Sequence, residues 1–410
     1  MPLAAAAELD LSGFGTLGGA ISDQDFTYQQ RITEGGTLNR DSVIGFQLDG
    51  HLTPEWGVTI QGKAAPSEER ENGWDLTLTW AFLSWRPTND LLLRAGKLRM
   101  PLMLYSANSD VGITYPFAQL PAEVYSIAPI TDVLGLAFSW SWSSGTAEWA
   151  LDGYGGRTNV DRRFYLRDGL PRYFEAGPLY EETDANLGGL VLTLYQGDNI
   201  WQVGLHRIEV IANTVDFPQT YPWVSMGPGA GYYQLPNMPW ADVPTVESLL
   251  SDLLTLSTEI ALPSDFQLVA EYARRVVNNA TTGLDTHSGY VALLRPVKRW
   301  TPYVYIAGLR SNQKALDLYK GINGNRVPEF VPNAAVVNAA QRFGADRLVP
   351  YDQYTLAIGT SYTLSPRSNV KAEFAHTRSG IASSFIDAPT GEDTGDREVN
   401  VFSLSYSFAF

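Results

Sequence analysis

The strongest constraint on this chain is one pattern recurring along it: apolar residues alternate with small or polar ones at a period of two. The segment REVNVFSLSYSFAF is the clearest case. Phe402, Leu404, Tyr406, Phe408 and Phe410 share one face; Val401, Ser403, Ser405, Ser407 and Ala409 share the other. Successive side chains of an extended strand point to opposite sides, so this spacing specifies a strand with one apolar face. Strands are expected at 9–20, 42–52, 56–64, 74–86, 91–99, 132–142, 146–154 and 184–195. The second half adds 199–209, 249–262, 266–276, 287–296, 300–310, 351–364, 368–378 and 397–410, sixteen in all. Most are longer than the roughly 5–6 residues usual in soluble sheets, and match the roughly 9–11 that a tilted strand needs to cross a bilayer.

Connection lengths carry the second signal. Short turns fall at 53–55, 87–90, 143–145, 196–198, 263–265, 297–299 and 365–367. Between them lie long segments at 21–41, 65–73, 100–131, 155–183, 210–248, 277–286, 311–350 and 379–396. Turns on one side and long loops on the other is the layout of an antiparallel barrel that spans an outer membrane. A compact soluble domain rarely carries several structureless loops of this length.

The two faces agree with that reading. Trp56, Val58 and Ile60, then Leu76, Leu78, Trp80 and Phe82, then Leu134, Leu136, Phe138 and Trp140 are expected to face lipid. So are Leu254, Leu256, Ile260 and Leu262. The opposite faces, such as Thr59, Gln61 and Lys63, are small, polar or charged. Trp56, Trp85, Trp142, Trp300, Tyr362 and Phe410 fall at strand ends, where interfacial aromatic girdles form. No apolar run is long enough for a membrane helix. The expected fold is therefore all-β: a transmembrane antiparallel barrel of sixteen strands. Residues 9–410 form its single domain, and residues 1–8 resemble the small-residue remnant of a cleaved export signal.

One motif points elsewhere at first sight. GFGTLG, Gly13 to Gly18, matches a dinucleotide-binding fingerprint. That motif needs a strand before it and a helix after it, and a polar stretch and another period-two segment follow instead. Gly13, Gly15 and Gly19 share one face of the first strand, where missing side chains let the wall bend or another surface approach. The chain has no cysteine, which excludes disulfides and thiolate chemistry, and its net charge of −15 disfavours nucleic acid. Four scattered histidines and no nucleophile or metal motif leave nothing that reads as an enzyme.

Sixteen strands with eight long loops resembles the trimeric porins of Gram-negative outer membranes. The stretch LRAGKLRMPLMLYSANSDVGITYPFAQLPAEVYS, Leu93 to Ser126, is similar to the fifth strand and third loop of a proteobacterial porin subgroup. The resemblance implies a homotrimer in outer-membrane lipid and lipopolysaccharide, passing small hydrophilic solutes without a cofactor. It also implies that 100–131 folds into the lumen as a constriction loop. Tyr105, Asp110, Tyr115, Phe117, Glu123 and Tyr125 are its candidate residues, with fewer acids than general porins carry. A more selective channel for carboxylates, sugars or apolar nutrients is the alternative in the same class. A plugged, structural or enzymatic barrel is the alternative outside it.

Mid-strand charges should face the lumen, because a lipid-facing Arg or Lys costs about 2–4 kcal/mol at the midplane. Candidate pore-lining cations are Lys63, Arg94, Arg99, Arg275, Arg295, Arg310 and Lys371. The acids are Glu148, Glu259, Glu271 and Glu373, with Asp49 and Asp152. Arg94 and Arg99 have opposite parity, so a bulge or a strand end must separate them. Arg157, Arg162, Arg163, Arg167 and Arg172 crowd one long loop, as a solvated segment, an anion-attracting mouth or a lipopolysaccharide contact. The aromatic loop 216–244 reads as packing, against neighbours or across the barrel mouth, in preference to a stacking surface for sugars or apolar solutes.

Overall fold

The computed structural model describes residues 8–71, 73–127, 131–227, 230–236 and 242–410. Sixteen antiparallel strands close into one barrel. They are β1 (Glu8–Ser22), β2 (Val43–His51), β3 (Trp56–Pro66), β4 (Trp74–Thr88), β5 (Leu91–Arg99), β6 (Asp132–Ser144), β7 (Ala147–Leu166) and β8 (Gly177–Gln196). The series continues with β9 (Asn199–Ala212), β10 (Ser248–Leu262), β11 (Phe266–Val277), β12 (Thr286–Leu294), β13 (Trp300–Ser311), β14 (Tyr351–Ser365), β15 (Ser368–Ser383) and β16 (Glu398–Ala409). Each barrel strand pairs with its neighbour in sequence, and β1 pairs with β16 to leave no open edge. Closure is what hydrocarbon demands, since lipid supplies no partner for a free backbone N–H or C=O. Among the described residues no helix is long and apolar enough to cross a membrane.

All sixteen expected strands are present. Two differ in length: β7 and β8 are 20 residues each and pair along their whole length, so the long segment expected at 155–183 shrinks to 167–176. The export-signal reading of residues 1–8 lies outside the described residues except for Glu8, which opens β1. Two loops also carry helices of their own. Residues Ala122–Tyr125 form a short helix, α1, and 311–350 folds into α2 (Gln313–Gly324) and α3 (Ala334–Arg347).

The outer wall is apolar. Leu76 is 87% exposed and Leu136 67%, with Leu11, Leu205, Ile306, Ile358 and Leu404 beside them on the same surface. A water-soluble monomer rarely exposes so continuous an apolar patch. Aromatics meet in pairs at the short-turn end: Trp56 on Trp85, Trp142 on Trp149, and Trp300 against Tyr362 at 4.6 Å. The opposite end of the wall carries cross-strand ion pairs, Arg207–Asp252, Arg310–Asp352 and Arg378–Glu398.

Trp80 and Phe82 are corrections. Gln61 faces Trp80 while the next residue, Gly62, faces Leu78, so β4 bulges at Thr79. A bulge adds one residue and reverses parity beyond it. Leu76 and Leu78 face out as expected, but Trp80 and Phe82 turn into the lumen, and Leu83 and Trp85 take the outer face. The glycines of β1 find their reason in the seam. Gly15 faces Phe408 across the β1–β16 register. A Cβ on Gly13 would come within 2.4 Å of the Phe410 ring, and one on Gly15 within 2.6 Å of the Phe408 ring. Two rings lie flat over two glycines where the barrel closes.

Candidate pore and constriction

The loop after β5 cannot continue as a strand, because Pro101, Pro116 and Pro121 interrupt it. Its apolar side chains instead enter the barrel. Met100, Met103, Tyr105, Phe117 and Val124 pack on the inner faces of β11–β13, against Val269, Ala273, Tyr290, Tyr303 and Tyr305. Phe117 is fully buried and meets the rings of Tyr290, Tyr303 and Tyr305 edge-on, at 5.9, 5.1 and 5.9 Å. Edge-to-face contacts of this kind add about 0.5–1.5 kcal/mol beyond the area they bury.

Buried backbone and charge are then matched one by one, as a loop held away from water requires. Glu271 accepts from Leu104 N–H (3.0 Å), Ser257 Oγ (2.9 Å), Tyr290 OH (2.7 Å) and Tyr125 OH (2.5 Å). Glu373 accepts from Tyr303 OH (2.7 Å) and Tyr305 OH (3.1 Å), and the Tyr303 oxygen accepts from Ala118 N–H. Lys371 donates to the carbonyls of Phe117 (2.9 Å) and Gly112. Glu123, on α1, accepts from Gln353 (2.8 Å) and Thr355 (2.5 Å) of β14.

These contacts correct part of the sequence reading. Glu271, Lys371 and Glu373 face inward as expected, yet each is at most 3% exposed, because the loop covers them. Arg275 is likewise 7% exposed. They clamp the loop and do not line open space. Arg310 shares the outward face of Val304 and Ile306 and pairs with Asp352 at the loop-side rim. Arg295 follows the end of β12, exposed, over the Phe266 ring at the short-turn rim. Outside the hydrocarbon band an outward arginine meets water and headgroups, so the midplane penalty does not apply there.

The remaining candidates converge on the other half of the barrel. Lys63, on β3, is 2.9 Å from Asp110 of the loop, and Arg99 contacts the second oxygen of the same carboxylate and Ser109. Arg99 is the last residue of β5, so a strand end reconciles its parity with that of Arg94. Arg94 donates to Ser139 (2.9 Å), which donates to Asp152 (2.5 Å). The Phe82 ring lies 6.0 Å from the Arg94 guanidinium. Burial alone would raise the Asp110 carboxyl, but Lys63 and Arg99 outweigh it and hold the group below its ordinary value. Asp110, Tyr115 and Tyr125 are half-buried; Tyr105, Phe117 and Glu123 are buried in the clamp. Glu259 is half-buried beside Gln267 and Tyr105.

Exposure divides the lumen in two. Gln47, Asp49, Thr59, Lys63, Arg94 and Asp152 on β2–β7 are half-exposed, and Glu148 is exposed at the short-turn end. The inner residues of β11–β16 are mostly buried under the loop or against one another. Sequence reasoning missed Arg40 and Asp41, which the first long loop brings to this level, with Asp41 2.7 Å from Gln119. No pattern in the sequence announces such a fold-back.

The long-loop side is partly roofed. Tyr319, Ile322, Phe343 and Leu348 from 311–350 pack with Leu166, Tyr221 and Leu235. The aromatic loop therefore packs across the mouth as expected, within its described residues. Arg167, 2% exposed, pairs with Asp346 (2.5 Å) and Asp393 (2.8 Å); Arg342 pairs with Asp393 (2.6 Å) and Asp168 (3.1 Å). Arg163 bridges Asp387 and Glu71. Arg163 and Arg167 are built into strand and roof, which corrects their reading as a solvated loop; Arg157 faces out, and both it and Arg172 are exposed.

No family model matches the chain, and no curated protein matches it by sequence. Solved structures do match over nearly its whole length. OmpT of Vibrio cholerae, in an in-vitro-folded trimer form, superposes with a TM-score of 0.54 at 12% identity, covering 99% of this chain and 100% of that one. An anion-selective porin from Comamonas acidovorans gives 0.53 at 10% identity, covering 98% and 100%. The outer-membrane channel DcaP of Acinetobacter baumannii gives 0.52 at 11% identity, covering 98% and 97%. The fold is the closed sixteen-stranded barrel of outer-membrane porins.

Proposed function

We propose that this chain is an outer-membrane channel through which small hydrophilic solutes and ions diffuse down their gradients. One observation carries the reading: the lumen is half-filled. The loop is clamped to β11–β15 by buried hydrogen bonds, while the opposite wall keeps a row of half-exposed polar and charged side chains. A sixteen-stranded barrel is wide enough to retain a water path beside such a loop. Lys63, Arg94, Arg99 and Asp110 set its narrowest level, and Glu148 lies at the exit on the short-turn side. Residues 9–410 act as one barrel domain, with 100–131 as its constriction. The sequence resemblance, and the trimer form of a structural neighbour, support a homotrimer in an asymmetric lipid and lipopolysaccharide bilayer.

The test is conductance of the purified, folded protein in a planar bilayer under a salt gradient. Openings in steps of three are expected, with a reversal potential set by the constriction charges. Folded protein that never conducts would overturn the reading and leave a plugged barrel.

A further inference from the structure

Above the constriction, on the roofed side, the barrel holds two arginines without a counter-ion among the described residues. Arg162 projects inward from β7, its guanidinium 4.8 Å from the rings of both Phe164 and Phe217. Its Nη1 is buried and makes no hydrogen bond among the described residues. Arg275 projects from β11 and is 7% exposed. Among the described residues it donates only to neutral acceptors, the Ile127 carbonyl (3.1 Å) and Ser251 Oγ (3.5 Å), and its buried Nε makes no hydrogen bond. Both border one apolar cluster, Arg162 at Phe217 and Arg275 at Ile127, and a third cation, Arg347, shares the Phe164 ring with Arg162 at 5.2 Å. The nearby acids are already engaged: Glu181 holds Arg347 at 2.6 Å, and Asp285 holds Arg274 at 2.5 Å.

Collecting like charges under an aromatic roof costs free energy unless something neutralises them. A guanidinium offers a planar fork of N–H donors that fits an oxyanion, and two forks together hold one better than either alone. Tyr221, Phe217 and Phe164 would seal the site from bulk water, and Ile127 of the constriction loop forms its floor. We infer that Arg162 and Arg275 bind the carboxylate or phosphate group of a solute in the vestibule, before it reaches Arg99 and Lys63. The inference rests on the channel reading and names the solute class: small oxyanions.

Isothermal titration of the folded full chain in detergent tests it, with citrate and inorganic phosphate as separate probes in a buffer free of both. One or both should bind in the micromolar-to-millimolar range; which one does distinguishes a carboxylate site from a phosphate site. Arg162→Gln and Arg275→Gln should each weaken binding at least about tenfold, the ordinary effect of losing a charge-assisted hydrogen bond. Arg207→Gln, on the outer wall, should leave it unchanged. If a glutamine variant fails to fold, the corresponding Arg→Lys variant keeps the charge, loses the fork and should still bind more weakly. No binding of either probe, or variants that bind like the parent, would overturn the inference. Conductance without binding sinks this site alone; binding without conductance sinks the channel and leaves the site standing.

Discussion

At the residue scale, the constriction turns on a single carboxylate. Asp110 is shared by Lys63 and Arg99, so replacing it frees two cations. Asp110→Asn should move the reversal potential toward anion preference, and Lys63→Glu should move it the other way, both read in a bilayer under a salt gradient. Acid should mimic the first change. The folded carboxyl titrates below its ordinary value, so its contribution to loop anchoring is present above the unfolded pKa and is lost as pH falls through the folded one. Selectivity should hold from neutral pH down through the ordinary carboxylate range and drift toward anions only in stronger acid than an unperturbed aspartate needs. Lys63 was legible in the sequence through strand parity and Asp110 through its place in the loop; Arg99, of parity opposite to Arg94, was reached through its position at the strand end. Arg310 was misread although its parity already matched Val304 and Ile306, because an inward-charge rule that belongs to the hydrocarbon band was applied at the rim. The clamp makes a different demand. Glu271→Leu strands three hydroxyls and an amide, whereas Glu271→Gln keeps acceptors for some of them. Open-channel current noise should rise sharply in the leucine variant and modestly in the glutamine one.

At the scale of elements, periodicity located every strand, and it failed where a local event broke the period. The bulge at Thr79 reversed Trp80 and Phe82, and no bulge-forming glycine or proline stands there to warn of it. The helices α2 and α3 were readable in part. Asn312 caps α2 through Ala315 N–H, and Ala315, Leu316, Tyr319 and Ile322 line one face at helical spacing. Their docking depends on side chains distant in sequence. Arg167→Ala would leave Asp346 buried without its main cation, a loss of about 3–5 kcal/mol for a broken buried pair. Limited proteolysis should then cut within 311–350 while the strands stay intact. The wall is also tightly wound at β6–β8. A Cβ on Gly135 would lie 2.0 Å from the Gly155 carbonyl oxygen, so backbone must shift to admit it. Gly135→Ala should lower stability by about 1–3 kcal/mol, seen as a lower denaturant midpoint for the purified barrel.

At the scale of the whole molecule, one half of the barrel is a packed interior and the other a wetted wall. Substitutions on the two halves therefore fall into separate classes. On the channel reading, changes at Gln47, Thr59 or Arg94 should alter conductance and spare the fold, whereas changes at Tyr303, Tyr305 or Phe117 should alter the fold first. The β1–β16 seam has a consequence in time. Phe14 faces Ala409 across it, so the seam joins strands that lie far apart in sequence and form their contact only once everything between them has been made. Until they meet, the sheet has two raw edges that hydrocarbon cannot satisfy. Removing the last strand therefore leaves β1 and β15 as two unpaired edges, so a chain cut there has no closed barrel to fall back on.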